Sequence, residues 1–155
     1  MPSPDQSKII SLPEIKVIGI EVKTTNQNNK AQTDIPALWQ KFYSQNILSR
    51  IPNKLDNQIV CLYTNYEGDF TKPYSVIIGC KVKKLTTIPN TLASKTVPAA
   101  KYIVLEAKGE LPQAILKAWE KVWASDIIRS YTNDFEIYFN NNNSTSAKIY
   151  IGIKD

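Results

Sequence analysis

Val76-Ile77-Ile78-Gly79-Cys80-Lys81-Val82 has an echo near the end of the chain, Ile149-Tyr150-Ile151-Gly152-Ile153-Lys154. An apolar, β-branched run broken by one glycine and closed by a lysine, met twice, points to a duplicated unit. Working outward, the copies extend. Ile35-Pro36 matches Leu111-Pro112. Trp39, followed by Asn46-Ile47, matches Trp119, followed at the same spacing by Asp126-Ile127. Tyr63-Thr64-Asn65 matches Tyr131-Thr132-Asn133. Each half then reads strand, helix, strand, strand. In the first, strand-like runs at 15–22, 59–63 and 74–82 surround a helix carrying Leu38, Trp39, Phe42 and Tyr43. Asp34 is its expected N-cap, Pro36 sits in its first turn, and it ends near Ser49 or Arg50, before Pro52. In the second, runs at 101–107, 134–139 and 148–153 surround a helix opened by Leu111-Pro112. Ile115, Leu116, Trp119, Val122 and Trp123 form its stripe.

The expected fold is therefore α+β: an antiparallel sheet with two main helices, built from duplicated strand-helix-strand-strand halves with pseudo-twofold symmetry. Residues 1–7 read as a tail and 8–155 as a single domain. Half one spans about 8–83 and half two about 100–154, with a Thr-, Ser- and Pro-containing crossover at 84–99. A half of roughly 70 residues buries little core alone. Two halves sharing a core leave a groove between them, the natural place for a ligand.

Composition narrows the chemistry. The 155 residues carry 19 Lys and Arg against 14 Asp and Glu, and no histidine, for a net charge of +5. Catalytic triads, His-bound zinc and His general bases are excluded. Three Trp, eight Tyr and four Phe make the chain rich in rings. No apolar run approaches the roughly 20 residues that span a bilayer, and the polar start lacks the apolar core of a signal peptide, so a cytoplasmic protein with no membrane partner is expected. Cys61 and Cys80 fall in apolar runs and read as buried free thiols. Lys81, Lys83 and Lys84 read as a solvated strand end. Basic residues are interleaved with acids, so no direct nucleic-acid binding is expected, although the rings would suit stacking. There is no Gly-rich phosphate loop and no C-x-x-C pair, and no cofactor is expected. Asp126, Asp134 and Glu136 span a helix end and a strand, which suits capping and solvation better than a metal.

The ordered segments resemble the GyrI-like effector-binding domains. The residues that carry the likeness are Ile10-Ser11-Leu12-Pro13-Glu14-Ile15-Lys16-Val17-Ile18-Gly19-Ile20, then Tyr74 with Ile78-Gly79-Cys80-Lys81-Val82, Val97-Pro98-Ala99-Ala100-Lys101-Tyr102, Asp134-Phe135-Glu136-Ile137-Tyr138, and the closing Ile149–Lys154 run. No single motif is specific; their order from about Lys8 to Lys154 is. Such domains are the ligand-sensing parts of AraC-type and MerR-type regulators, and also occur free-standing, as in integron-associated effector-binding proteins. The resemblance implies a cleft for bulky, often cationic, organic molecules. Regulators carry a DNA-binding segment before this domain. Nothing precedes residue 8 here, so a stand-alone binding protein is expected, as a monomer or weak homodimer, with a separate regulator protein as its conceivable partner.

Within Phe135-Glu136-Ile137-Tyr138, alternation puts Glu136 and Tyr138 on one face and Phe135 and Ile137 on the other. That face is either a wet outer surface or the groove. In the family resembled, the matching Glu supplies the negative charge that a cationic ligand meets, and the resemblance carries this role to Glu136. Trp39 and Trp119 are pseudo-equivalent: they either face each other across the axis or are ordinary core residues. Tyr63 and Tyr131 pair similarly near strand edges, and Tyr150 alternates away from Ile149 and Ile151, toward the face of Glu136. The expected ligand-binding set is Glu136, Trp119, Trp39, Tyr63, Tyr138 and Tyr150. Tyr66 and Phe70 read as exposed turn residues, and Phe42 and Trp123 as core. The function expected is binding of a bulky amphipathic, cationic organic compound. The alternative, which the resemblance also brings, is a hydrolase of electrophilic small molecules, with Glu136 activating water and Tyr138 as phenol donor.

Overall fold

The structure is a computed structural model that describes residues 9–139 and 145–154. The expected tail at 1–7 lies outside them, as does most of the polar turn at 140–146. The elements in order are β1 (Ile9–Leu12), β2 (Ile15–Thr24), α1 (Lys30–Ser44), α2 (Ile47–Arg50), β3 (Ile59–Thr64), β4 (Tyr74–Val82), β5 (Ala93–Val97), β6 (Ala100–Lys108), α3 (Gln113–Trp123), β7 (Arg129–Tyr138) and β8 (Thr145–Ile153).

The eight strands form one antiparallel sheet ordered β1-β6-β8-β7-β3-β4-β2-β5. The order is palindromic about the β7–β3 seam. Moving outward, β8 answers β4, β6 answers β2, and β1 answers β5. The α+β fold and its pseudo-twofold duplication are as the repeat implies. Two strands were not anticipated. β1 lies ahead of the first expected run at 15–22, and β5 lies inside the expected crossover, because Ala93-Ser94-Lys95-Thr96-Val97 is short and polar. These two are exchanged between halves: β1 leads into β2 but pairs with β6, and β5 leads into β6 but pairs with β2.

The exchange dictates the shape. Only Pro13 and Glu14 separate β1 from β2, and only Pro98 and Ala99 separate β5 from β6, yet each pair of strands stands at opposite ends of the order. The sheet must curl until its ends meet, as twisted sheets can. Its inner face is filled by Val17, Leu62, Ile77, Tyr102, Phe135 and Ile137. Its outer face carries the helices. Leu38 and Phe42 of α1 pack on Ile18, Ile20 and Ile78; Ala114, Ala118 and Val122 of α3 pack on Leu105 and Ile149. With both faces covered, β4 is buried at almost every position rather than at alternate ones. Cys61 and Cys80 are buried free thiols.

Two local readings are corrected. Asp34 is not an N-cap; α1 starts at Lys30, and the Asp34 carboxylate instead accepts a hydrogen bond from Thr24 Oγ1 at 2.8 Å and pairs with Lys30. Pro36 therefore lies inside the helix. At the other end, Asn46 with φ 48° breaks the helical run before α2, a left-handed turn that asparagine tolerates.

One approach depends on missing side chains. Gly19 faces Gly79 across β2 and β4. A Cβ on Gly19 would lie 2.1 Å from the carbonyl oxygen of Ile78, and one on Gly79 would lie 1.9 Å from that of Ile18.

Candidate ligand groove

The β3–β7 seam places Cys61 opposite Glu136, Tyr63 opposite Asp134 and Ile59 opposite Tyr138. Directly opposed residues share a face, so all six rise toward the helices. α1 and α3 stand on either side, and a cavity of about 430 Å³ lies between them. The walls are exchanged between halves like the edge strands. Trp39 of α1 meets Tyr138 of β7 edge-on at 5.0 Å, and Trp119 of α3 meets Tyr63 of β3 edge-on at 5.4 Å. Each Trp continues outward into a stacked partner four residues on, Tyr43 at 6.1 Å and Trp123 at 6.2 Å.

Glu136 sits on the floor and is only 3% exposed. Its Oε2 accepts hydrogen bonds from Tyr63 Oη at 2.9 Å and Trp119 Nε1 at 2.6 Å, and its Oε1 accepts one from Tyr138 Oη. Burial raises its carboxyl above the ordinary 4.5. The donors Tyr138, Trp119, Tyr63 and the Cys61 thiol pull the other way and do not fully offset it. Burial also pushes up the phenols of Tyr63 and Tyr138, helped by the neighbouring Glu136 charge, so they stay protonated donors. The Cys61 thiol is raised well above its usual value by burial and by Glu136, which leaves it unreactive.

Asp134, two residues earlier on the same face, has a different role. It is fully buried and accepts hydrogen bonds from Tyr66 Oη at 2.6 Å, Arg129 Nη2 at 2.8 Å and the Gly152 backbone N–H at 2.8 Å. Its charge is answered inside the protein by Arg129.

The structure thus gathers Glu136, Trp119, Trp39, Tyr63 and Tyr138 around one cavity. Tyr150 is elsewhere. It pairs with Phe135, not Glu136, and stacks on it at 4.6 Å on the inner face of the curl. The alternation argument failed because the inner face is apolar too, so apolar neighbours do not tell which side Tyr150 takes. Tyr131 is not the counterpart of Tyr63. β7 is irregular between Arg129 and Asp134, Tyr131 has φ 52°, and its ring lies 4.4 Å from the Arg129 guanidinium. Tyr138 is the counterpart: it and Tyr63 each lie two residues beyond the Cys61–Glu136 pair. Trp123, expected in the core, is 62% exposed at the groove mouth; the alanines of α3 take the buried side instead. Tyr66 is not an exposed turn residue, since Asp134 holds it against the groove. Phe70 is exposed as expected and lines the mouth. Arg129 was missed altogether. Its one signal in the sequence is a lone cation five residues ahead of Asp134, the first of two acids on one strand face.

The family of integron-associated effector-binding proteins matches residues 8–153. The chain belongs to this family. An integron cassette protein of Vibrio cholerae, VCH_CASS2, is 32% identical and superposes with a TM-score of 0.76, each chain covered to 94%. YobU of Bacillus subtilis (strain 168), a candidate transcriptional regulator, is 27% identical over 96% of this chain and 98% of its own. The protein SAV2435 shares the fold at 22% identity, with a TM-score of 0.75, 94% of this chain and 92% of that one being covered. The GyrI-like character read from the ordered segments is therefore correct, and the effector-binding protein described here is a small-molecule-binding protein. Among the described residues, no helix is long and apolar enough to cross a membrane.

Proposed function

We propose that this effector-binding protein takes bulky amphipathic organic cations, with Glu136 as counter-ion and Trp39, Tyr63, Trp119 and Tyr138 as walls. The observation that carries the reading is a buried carboxylate, at the floor of an aromatic cavity, whose hydrogen-bond donors are all neutral. Burial penalises its charge. A lipophilic cation supplies the missing opposite charge, and each ring adds about 0.5–2 kcal/mol of cation–π attraction. Neither contribution needs a particular hydrogen-bond pattern, which suits a broad set of ligands. SAV2435, with the same fold, is recorded bound to tetraphenylphosphonium, a molecule of the proposed class.

The hydrolase alternative fits less well. A carboxylate offers about four lone-pair sites, and Tyr63, Trp119 and Tyr138 already donate to three of them, with Cys61 paired opposite across the seam. A base that activates water needs a free site; a counter-ion needs only its field.

Tetraphenylphosphonium and tetraphenylborate have nearly the same shape and opposite charge. Titrated against intrinsic tryptophan fluorescence, the cation is expected to quench saturably and the borate not to. Equal responses, or none, would overturn the proposal. The Trp119→Phe variant should lose a large share of the quenching, because Trp119 touches Glu136, with Trp39 supplying the rest, whereas Trp123→Phe at the exposed mouth should lose little.

The raised Glu136 carboxyl fixes the pH dependence. Cation binding needs the ionised form, so affinity should climb as pH rises through the folded-state value, which lies above 4.5, and then level off. Stability without ligand runs the other way. The folded state holds this proton more tightly than the unfolded chain. That contribution is complete below 4.5 and is lost as pH rises through the folded-state value. Calorimetry across this window should show a falling component of Tm that is absent in Glu136→Gln.

A further inference from the structure

The groove continues past Trp119. A second cavity of about 450 Å³ adjoins the first, and Asn26, Gln32, Phe70, Trp123 and Arg129 line both. Arg129 stands at the junction. Its side chain is only 9% exposed, anchored through Nη2 to Asp134 and lying against the rings of Tyr131 at 4.4 Å and Trp119 at 5.8 Å. Its Nε–H is buried and has no hydrogen-bond partner among the described residues. A guanidinium carries five N–H donors, and buried donors in native proteins are nearly always satisfied. The same Trp119 that lies against Arg129 donates to Glu136. One indole therefore separates an anion on the floor from a donor-rich cation beyond it.

We infer that the second cavity is a polar arm of the ligand site, which takes an uncharged hydrogen-bond acceptor, a carbonyl, amide or ether oxygen, carried by the cationic body seated at Glu136. This rests on the cation reading above. The acceptor is uncharged because the charges are already matched. Asp134, fully buried, answers Arg129, and the ligand's cation answers Glu136. A carboxylate on the ligand would bring into a buried place an anion with no partner of its own. A neutral oxygen accepts a spare guanidinium N–H and leaves no charge over. The ligand class is thus narrowed from any lipophilic cation to one with an acceptor on a side arm.

Three phosphonium probes test this by isothermal titration of the full chain: butyltriphenylphosphonium, its 4-carbamoylbutyl analogue and its 4-carboxybutyl analogue. The amide is expected to bind about tenfold tighter than the butyl compound, the gain of one hydrogen bond to a charged group. The carboxylate is expected to bind no tighter than the amide. Arg129→Lys keeps the charge opposite Asp134 but loses the fork. It should bring the ratio of amide to butyl affinity close to one, whereas a purely structural Arg129 would weaken all three probes alike and leave that ratio as in the wild type. Equal amide and butyl affinities in the wild-type protein would overturn the inference, as would tightest binding of the carboxylate or an amide advantage that survives Arg129→Lys. Should the variant not fold, the wild-type series decides alone. If butyltriphenylphosphonium does not bind at all, it is the cation reading that fails, which is a distinct result.

Discussion

Glu136→Gln is expected to weaken tetraphenylphosphonium binding by at least about thirtyfold, equivalent to about 2 kcal/mol, the lower end for losing one partner of a buried charge pair. The substitution keeps the shape of the side chain and an oxygen for Tyr63 and Trp119, and its NH2 meets Tyr138, whose hydroxyl can accept as well as donate. The ligand-free protein should lose nothing in Tm and can gain, since a buried carboxylate held by neutral donors is penalised by desolvation and glutamine is not. Binding and stability therefore move in opposite directions, a signature that simple loss of packing does not give. Discrimination between tetraphenylphosphonium and tetraphenylborate should largely vanish. Equal weakening of charged and neutral ligands of like shape would show that Glu136 shapes the groove without acting as counter-ion. Turnover of an electrophilic substrate lost in this variant, with binding retained, would instead bring the hydrolase reading forward.

The second large effect is on stability. Gly79→Ala should cost about 3 kcal/mol or more, at the upper end for overpacking, and lower Tm by roughly 6–12 °C for a chain of this size. The added methyl would sit 1.9 Å from the Ile18 carbonyl oxygen. Backbone cannot rotate away as a side chain can, so β2 and β4 would have to separate. Gly19→Ala meets the same obstacle from the other side at 2.1 Å. Gly68→Ala is the control. There the three nearest atoms all belong to the exposed Lys72 side chain, the first at 2.7 Å; a side chain can turn aside where backbone cannot, and the change should cost about 1 kcal/mol or less. Thermal melts of the three variants side by side would check it. A Gly79→Ala protein as stable as Gly68→Ala would mean that the strands are not so closely apposed.

How far the sequence could be read follows from what each signal reports. Repeated landmarks such as Trp39 and Trp119 carry topology, because a duplicated unit must pair with its copy, and the palindromic order follows. Alternation around Glu136 carried its face correctly, since Phe135 and Ile137 point to the inner side. The same reasoning misplaced Tyr150, because a curled sheet with two apolar faces gives apolar neighbours on either side. Helical spacing found the stripe of α3 but not its centre: Ala114 and Ala118 take the buried place because their small side chains fit close to the sheet, and this leaves Trp123 outside. Matching tripeptides paired Tyr63 with Tyr131, whereas strand register pairs it with Tyr138; the irregularity in β7 shifts the frame, and no residue type announces it.

The exchange of β1 and β5 has a bearing on how the protein comes into being. Ile9 finds its partner at Ile103, so the earliest strand must wait on the ribosome until most of the chain has emerged. Pairings between such distant residues are the slow ones in folding. The seam that floors the groove joins β3 to β7, so it too closes only once the second half has been made. Capture of an effector is then a property of the finished chain. A molecule seated between Trp39 and Trp119 touches both halves and acts as a clasp, which favours the fully assembled protein over any partly opened form.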